Sequence, residues 1–172
     1  MRWRFILNII GVLLFFFGLT MIFPLVVALY YQDQSLNPLL ESMAITVFAG
    51  LVLYLIFRRA RAEVINQREG MAIVAVGWTA VGLFGALPFY LGDGYFSFTD
   101  AFFESVSGFT TTGASILTNI EAVSKGLLFW RSFIQWLGGM GIIVLSVAIL
   151  PFLGVGGMQL YKAEVPSPVP DK

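Results

Sequence analysis

Apolar residues fall into four long blocks, with a shorter mixed stretch between the third and the fourth. The long blocks run from Phe5 to about Tyr30, from Leu39 to Phe57, from Gly70 to Tyr90, and from Leu127 to Leu150 or on to Leu153. Each is close to the ~20 residues that a helix needs to cross ~30 Å of hydrocarbon. The pattern therefore predicts four spanning helices. The stretch at 97–115, SFTDAFFESVSGFTTTGAS, is different. As a helix, Ser97 to Thr110 covers only about 20 Å, too little for a span. It reads as a helix that enters the membrane, stops, and returns as extended backbone. Irregular backbone at that depth is tolerated only where protein or a water-filled cavity surrounds it. A pore is the simplest such cavity.

The breaks between the blocks fix the remaining organisation. Pro24 is placed to kink the first helix, which is apolar apart from Asn8 and Thr20. Its basic flank (Arg2, Arg4) resembles the start of a secretory signal, but the apolar run exceeds the ~7–15 residues of a signal core and no small-residue cleavage site follows. The reading is a retained spanning helix. Tyr31–Pro38 is a polar loop, and Leu91–Phe96 a tight turn region after Pro88. Gly77, Gly82 and Gly85 make the third helix glycine-rich. Ile116–Lys125 is a short polar stretch, and beyond Pro151 the chain turns to GVGG and a polar tail. Three parts follow: residues 1–62 as two leading helices, 63–157 as a helix–pore loop–helix repeat, and 158–172 as a cytoplasmic tail. The fold class is all-α integral membrane.

Composition agrees. Of 172 residues, 58% are hydrophobic and 12% charged, and the mean hydropathy is +0.86. This belongs to a membrane protein rather than a soluble domain. The formal net charge is zero, with no basic stripe and no nucleic-acid motif. The chain has no cysteine and no histidine. That excludes disulfide frameworks, Cys/His zinc sites, haem ligation by histidine and Ser-His-Asp catalysis within it. An intramembrane enzyme is disfavoured because no nucleophile or metal set accompanies the acids.

Charge also sets orientation. Arg2, Arg4, Arg58, Arg59, Arg61, Arg68, Lys162 and Lys172 fall on one side if there are four spans and one re-entrant element; only Lys125 and Arg131 fall on the other. Lysine and arginine collect on the cytoplasmic side. Both termini are therefore expected in the cytoplasm, with 97–115 dipping in from outside.

The chemistry concentrates in the short element. Ser97 and Asp100 fit a capping box. Phe98, Ala101, Phe102 and Ser105 form one packing face, with Phe103 and Val106 beside it. Gly108 loosens the helix near its end, and the β-branched Thr110–Thr112 followed by permissive Gly113 stop it. A helix C-terminus carries partial negative charge, and aimed at the membrane centre it favours a cation. Extended backbone beyond it presents carbonyl oxygens that replace an ion's hydration shell. The bland alternative is a polar turn between two helices. The surrounding plan of helix, half-helix, glycine turn and helix is the M1–P–M2 unit of potassium channels.

Asp100 and Glu104 are either an acidic mouth or structural groups. In the structural reading Asp100 caps the helix, and Glu104 bonds to neighbouring backbone or to Arg131, because an unpaired buried acid is costly. In the last helix Trp130 suits an interfacial belt and Arg131 can snorkel outward. Gly138, Gly139 and Gly141 permit either a tight helix crossing or a break that serves as a gate.

SGFTTTGAS at 107–115, FWRSFIQWLGGMGIIVL at 129–145 and the tail GGMQLYKAEVPSP together resemble the membrane subunit of the Trk-type bacterial potassium transporters, the TrkH/TrkG group related to KtrB. The resemblance covers the whole chain. It implies two leading helices and four M1–P–M2 repeats in one polypeptide around a single pore. The first repeat's filter strand would be Thr111, Thr112, Gly113 and Ala114, with Thr110 at the approach and Ser115 and Glu104 in support. The backbone carbonyls of all four, Thr111, Thr112, Gly113 and Ala114, would be the ligands, with K+ at Thr111, Thr112 and Gly113. The resemblance also implies homodimers, a cytosolic TrkA-like nucleotide-binding regulatory subunit, and uptake driven by the potassium gradient and membrane potential, with proton coupling in some members. No cofactor is implied; potassium is cargo. One strand cannot surround an ion, so either the chain is a fragment of a longer protein or several copies assemble. The break-off of the tail where the family continues favours a fragment. The competing expectation is a non-conducting membrane scaffold or accessory subunit.

Overall fold

Every regular element among the described residues is helical, as the four apolar blocks require. The structure, a computed structural model, describes residues 2–59, 67–92 and 97–149. Arg61, the 62/63 boundary, the turn at 93–96, and the GVGG stretch and tail lie outside these.

The first block forms two helices, α1 (Trp3–Thr20) and α2 (Ile22–Tyr31). The expected Pro24 kink sits between them: Pro24 has no N–H to offer the Thr20 carbonyl, and the ladder breaks at Met21. Helix α3 (Leu36–Phe57) begins before the expected Leu39. Pro38 belongs to its first turn, where a missing N–H costs nothing, so the preceding loop is shorter than its polar composition suggests. The third block is α4 (Gln67–Gly85) followed by the short α5 (Leu87–Leu91), broken near Pro88. Helix α6 (Phe98–Phe109) is the half-helix. A single 3₁₀ turn at Ile120–Ala122 leads into α7 (Lys125–Ile149).

Three stretches are long and apolar enough to cross a membrane among the described residues: Trp3–Tyr31, Leu36–Phe57 and Arg68–Leu91. Helix α7 has 25 residues, about 37 Å at 1.5 Å per residue. Helix α6 has 12, about 18 Å, and cannot cross.

In lipid, apolar surface gives helices little reason to associate, so small residues must bring backbones together. The most extensive contact, α1 against α3, is built this way. An added Cβ on Gly11 would lie 2.7 Å from the Tyr54 backbone nitrogen, and one on Gly50 would lie 2.8 Å from the Gly11 carbonyl oxygen. Gly50→Leu is therefore expected to force the two helices apart at a cost of about 1–3 kcal/mol or more. The yield of monodisperse protein in detergent should fall several-fold. Gly70→Ala is the control, since nothing lies within 4 Å of its added Cβ. Equal yields for the two variants would show that the crossing is not held this way.

Polar ties close the bundle. At one end of α1, Arg2 Nη2 donates to Glu69 Oε2 at 2.6 Å and Arg2 Nε to Oε1 at 2.9 Å. That hydrogen bond holds the guanidinium above its ordinary pKa, with burial opposing it. Where α4 gives way to α5, the Gly85 carbonyl accepts the buried Trp130 indole N–H at 3.0 Å, and the Gly82 carbonyl accepts the Ser105 hydroxyl at 2.8 Å. Trp130 is thus fully buried and not in an interfacial belt. Its polar handle satisfies a carbonyl exposed by the break, a demand that local sequence does not reveal.

Candidate functional site

The expected capping box starts α6. Asp100 N–H donates to Ser97 Oγ at 3.2 Å, and Ser97 N–H donates to Asp100 Oδ2 at 3.1 Å. Ala101, Glu104, Ser105 and Gly108 are buried in the i, i+3, i+4, i+7 pattern of a packed helix, and Ser107 and Phe109 are buried with them at its end. The expected face is corrected here. Ala101 and Ser105 belong to it, and Phe102 and Val106 lie beside it against Gly82 of α4, but Phe98 is 55% exposed and stacks on Phe102 with centroids 6.4 Å apart. Gly108 does not loosen the helix. It stays helical, and an added Cβ would lie 2.6 Å from the Ile134 side chain of α7.

Helix α6 ends at the threonines. Thr111 N–H donates to the Gly108 carbonyl at 2.9 Å, and Thr112 N–H to the Ser107 carbonyl at 3.0 Å. This is a Schellman arrangement, and it needs its first residue past the cap in the left-handed region, usually glycine. Thr111 occupies that place with φ +56°. A β-branched residue there is strained by about 1–3 kcal/mol. Thr111 is therefore held against its own preference by what surrounds it. Its hydroxyl donates to the Thr110 carbonyl at 2.7 Å, and the Thr110 and Thr112 hydroxyls lie 2.8 Å apart.

From Thr112 to Leu117 the backbone is neither helix nor strand, and residues 110–116 are exposed on the surface of this chain. Gly113 has φ +73°, a conformation that its lack of a Cβ allows. Ser107 holds the segment from two sides. Its carbonyl receives Thr112 N–H, and its hydroxyl donates to the Ala114 carbonyl at 2.6 Å. Of the four expected strand residues, Ala114 thus has its carbonyl engaged by protein on one lone pair.

Glu104, 1% exposed, is the hub behind the segment. Its Oε1 accepts the Ser115 hydroxyl at 2.6 Å and Ile116 N–H at 2.8 Å, while Oε2 accepts Arg131 Nε at 3.0 Å. Arg131 Nη2 also reaches the Gly113 carbonyl at 3.5 Å. Both structural expectations for Glu104, neighbouring backbone and Arg131, therefore hold together. Arg131 does not snorkel away; its side chain is 21% exposed and points at Glu104. Helix α7 runs unbroken through Gly138, Gly139 and Gly141. An added Cβ at Gly138 would collide with the Phe109 carbonyl, and one at Gly139 would lie 3.7 Å from Thr111 Cγ2. These glycines let the end of α6 rest on α7, rather than breaking the helix.

The structure brings Thr110, Thr111, Thr112, Gly113, Ala114, Ser115 and Glu104 into one continuous unit. Sequence reasoning missed Ser107. A hydroxyl one turn before a helix-stopping threonine run is the signal that points to it. No group of three or more His, Cys, Asp or Glu side chains able to hold a metal occurs among the described residues.

Residues 34–172 match the family described as TrkH, cation transport protein. The chain is 48% identical over 172 residues to the Trk system potassium uptake protein TrkH of Vibrio parahaemolyticus, covering 99% of this chain and 35% of that protein. It is 46% identical to TrkH of Escherichia coli K12, again over 99% of this chain and 35% of the relative. TrkG of the same strain is 34% identical over 98% of this chain and 35% of its own length. The crystal structure of the potassium transporter TrkH from Vibrio parahaemolyticus superposes with a TM-score of 0.84 at 44% identity, covering 91% of this chain and 34% of that one. The chain thus spans about a third of the length of these relatives.

Proposed function

The chain belongs to the TrkH family of cation transport proteins, and from that premise we propose that it supplies one of four filter strands of a pore for potassium uptake across the bacterial inner membrane. The observation that carries the proposal is the segment after α6. It leaves the helix at a strained turn, stays non-helical and exposed, and is pinned from behind by Ser107, Glu104 and Arg131.

Carbonyl oxygens of Thr111, Thr112 and Gly113 would replace the water around a dehydrated potassium ion. They are neutral and suit an alkali cation that must also leave. Ala114 completes the run; Ser107 engages one lone pair of its carbonyl and Arg131 Nη2 approaches that of Gly113, each leaving a second lone pair for an ion. Thr110 lies at the approach, and Ser115 and Glu104 support. Because Glu104 is buried behind the segment and its carboxylate is taken up by Ser115, Ile116 and Arg131, its charge serves the scaffold rather than the ion. Both termini would be cytoplasmic, following the arginines and lysines. The complete protein would be a homodimer served by a TrkA-like nucleotide-binding subunit.

Cysteine scanning tests the assignment, on a background in which any cysteine outside these 172 residues is replaced. In the complete protein, single cysteines at Thr110, Thr112 and Ser115 should react with a hydrophilic thiol reagent. Potassium should slow the reaction at Thr112 several-fold, and sodium should not. Positions that ignore both ions would favour a non-conducting scaffold.

A further inference from the structure

The start of α7 is capped from far away in the chain. A helix leaves its first N–H groups without partners, and the residue just before it ordinarily supplies an oxygen. Ser124 holds that place, with its carbonyl accepting Leu128 N–H at 3.0 Å. Yet its hydroxyl oxygen is buried and makes no hydrogen bond. The cap comes instead from the α2–α3 loop, 93 residues earlier: Asp33 Oδ2 accepts Gly126 N–H at 2.8 Å.

The loop is built to hold that carboxylate. Gln32 adopts φ +49°, a left-handed turn that brings Asp33 N–H to the Ala28 carbonyl at 3.2 Å. Ser35 N–H donates to Asp33 Oδ1 at 3.0 Å, and the Ser35 hydroxyl, on a fully buried residue, donates to the same oxygen. The fit leaves no room for a side chain on α7. An added Cβ at Gly126 would collide with the Ser35 hydroxyl and lie 2.8 Å from Ala28 Cβ.

Five residues beyond Gly126, about 7.5 Å along the axis, is Arg131. It holds Glu104, and Glu104 holds Ser115 and Ile116. We infer that Asp33 is a positioning residue for the pore: by capping α7 it sets the axial register of Arg131, and with it the place of Glu104 and the backbone beyond Gly113. The inference rests on the filter reading above. It gives the two leading helices a task in ion selection, although neither carries a filter strand.

The test uses the complete protein and reads potassium over sodium uptake per folded molecule. Asp33→Ala removes the cap oxygen and should lower that ratio at least threefold. Asp33→Asn keeps one acceptor oxygen for the Gly126 N–H but none for the Ser35 N–H, and should restore only part of the ratio. A role confined to folding would lower the amount of protein and leave the ratio alone. An unchanged ratio in Asp33→Ala overturns the inference. If Asp33→Ala yields no folded protein, Asp33→Glu is read in its place, since one extra methylene displaces the carboxylate. A lowered ratio there supports the inference, and a wild-type ratio overturns it. Gly113→Ser in parallel separates the two readings. If it lowers selectivity while Asp33→Ala does not, the filter stands and only the role of Asp33 fails.

Discussion

Gly113→Ser in the complete protein should lower selectivity for potassium over sodium about tenfold or more while leaving the folded amount close to that of the parent. Two observations set these expectations apart. An added Cβ at Gly113 meets only Gln135 Nε2, at 3.6 Å, so packing does not oppose a side chain. The backbone does: with φ +73°, an L-residue pays about 1–2 kcal/mol to stay left-handed. Serine can accept that strain or relieve it by rotating the peptide, which turns the carbonyl away. Each 1.36 kcal/mol of lost preference for one ion is about tenfold, so strain of this size is enough. The measurement is paired potassium and sodium uptake, normalised to folded protein. Unaltered selectivity would mean that Gly113 is merely a turn residue, and the carbonyl assignment would fall with it.

Much of the framework was legible because the membrane simplifies the code. Apolar block lengths give the spans, and a half-helix between two of them stands out by being too short. Gly113 was legible for a related reason: a glycine after a threonine run has few purposes besides positive φ. Thr111 was not, because nothing in its chemistry suggests a left-handed residue; the strain is imposed by the Schellman bonds to Ser107 and Gly108. Long-range polar ties were also hidden. Trp130 to Gly85 and Asp33 to Gly126 each depend on a backbone group that lacks a local partner, and a sequence does not reveal which groups those will be. Aromatic content alone does not set the face of α6: Phe98 is exposed while Phe109 is buried, and Glu104, Ser105 and Ser107 take buried positions because their polar atoms find partners there.

Glu104→Gln is expected to cost the complete protein about 3–5 kcal/mol, the range for breaking a buried ion pair by removing one charge. The reason lies in how many donors share the carboxylate. Oε1 serves Ser115 Oγ and Ile116 N–H, and Oε2 serves Arg131 Nε. A glutamine has the same shape but only one oxygen. If it faces Ser115 and Ile116, its amide N–H₂ confronts the guanidinium, and Arg131 is left charged and unpaired. If it faces Arg131, the Ile116 N–H loses its partner and the backbone beyond Gly113 is released. Arg131→Met alone should also be destabilising, because it strands the carboxylate. The double variant Glu104→Gln, Arg131→Met should be less harmed than the sum of the two, since neither charge is then left behind. Melting in detergent, followed for the parent, both single variants and the double variant, measures the coupling directly. Strict additivity would mean that the 3.0 Å contact holds nothing in place, and that the segment at Thr111–Gly113 owes its shape to Ser107 and the turn alone.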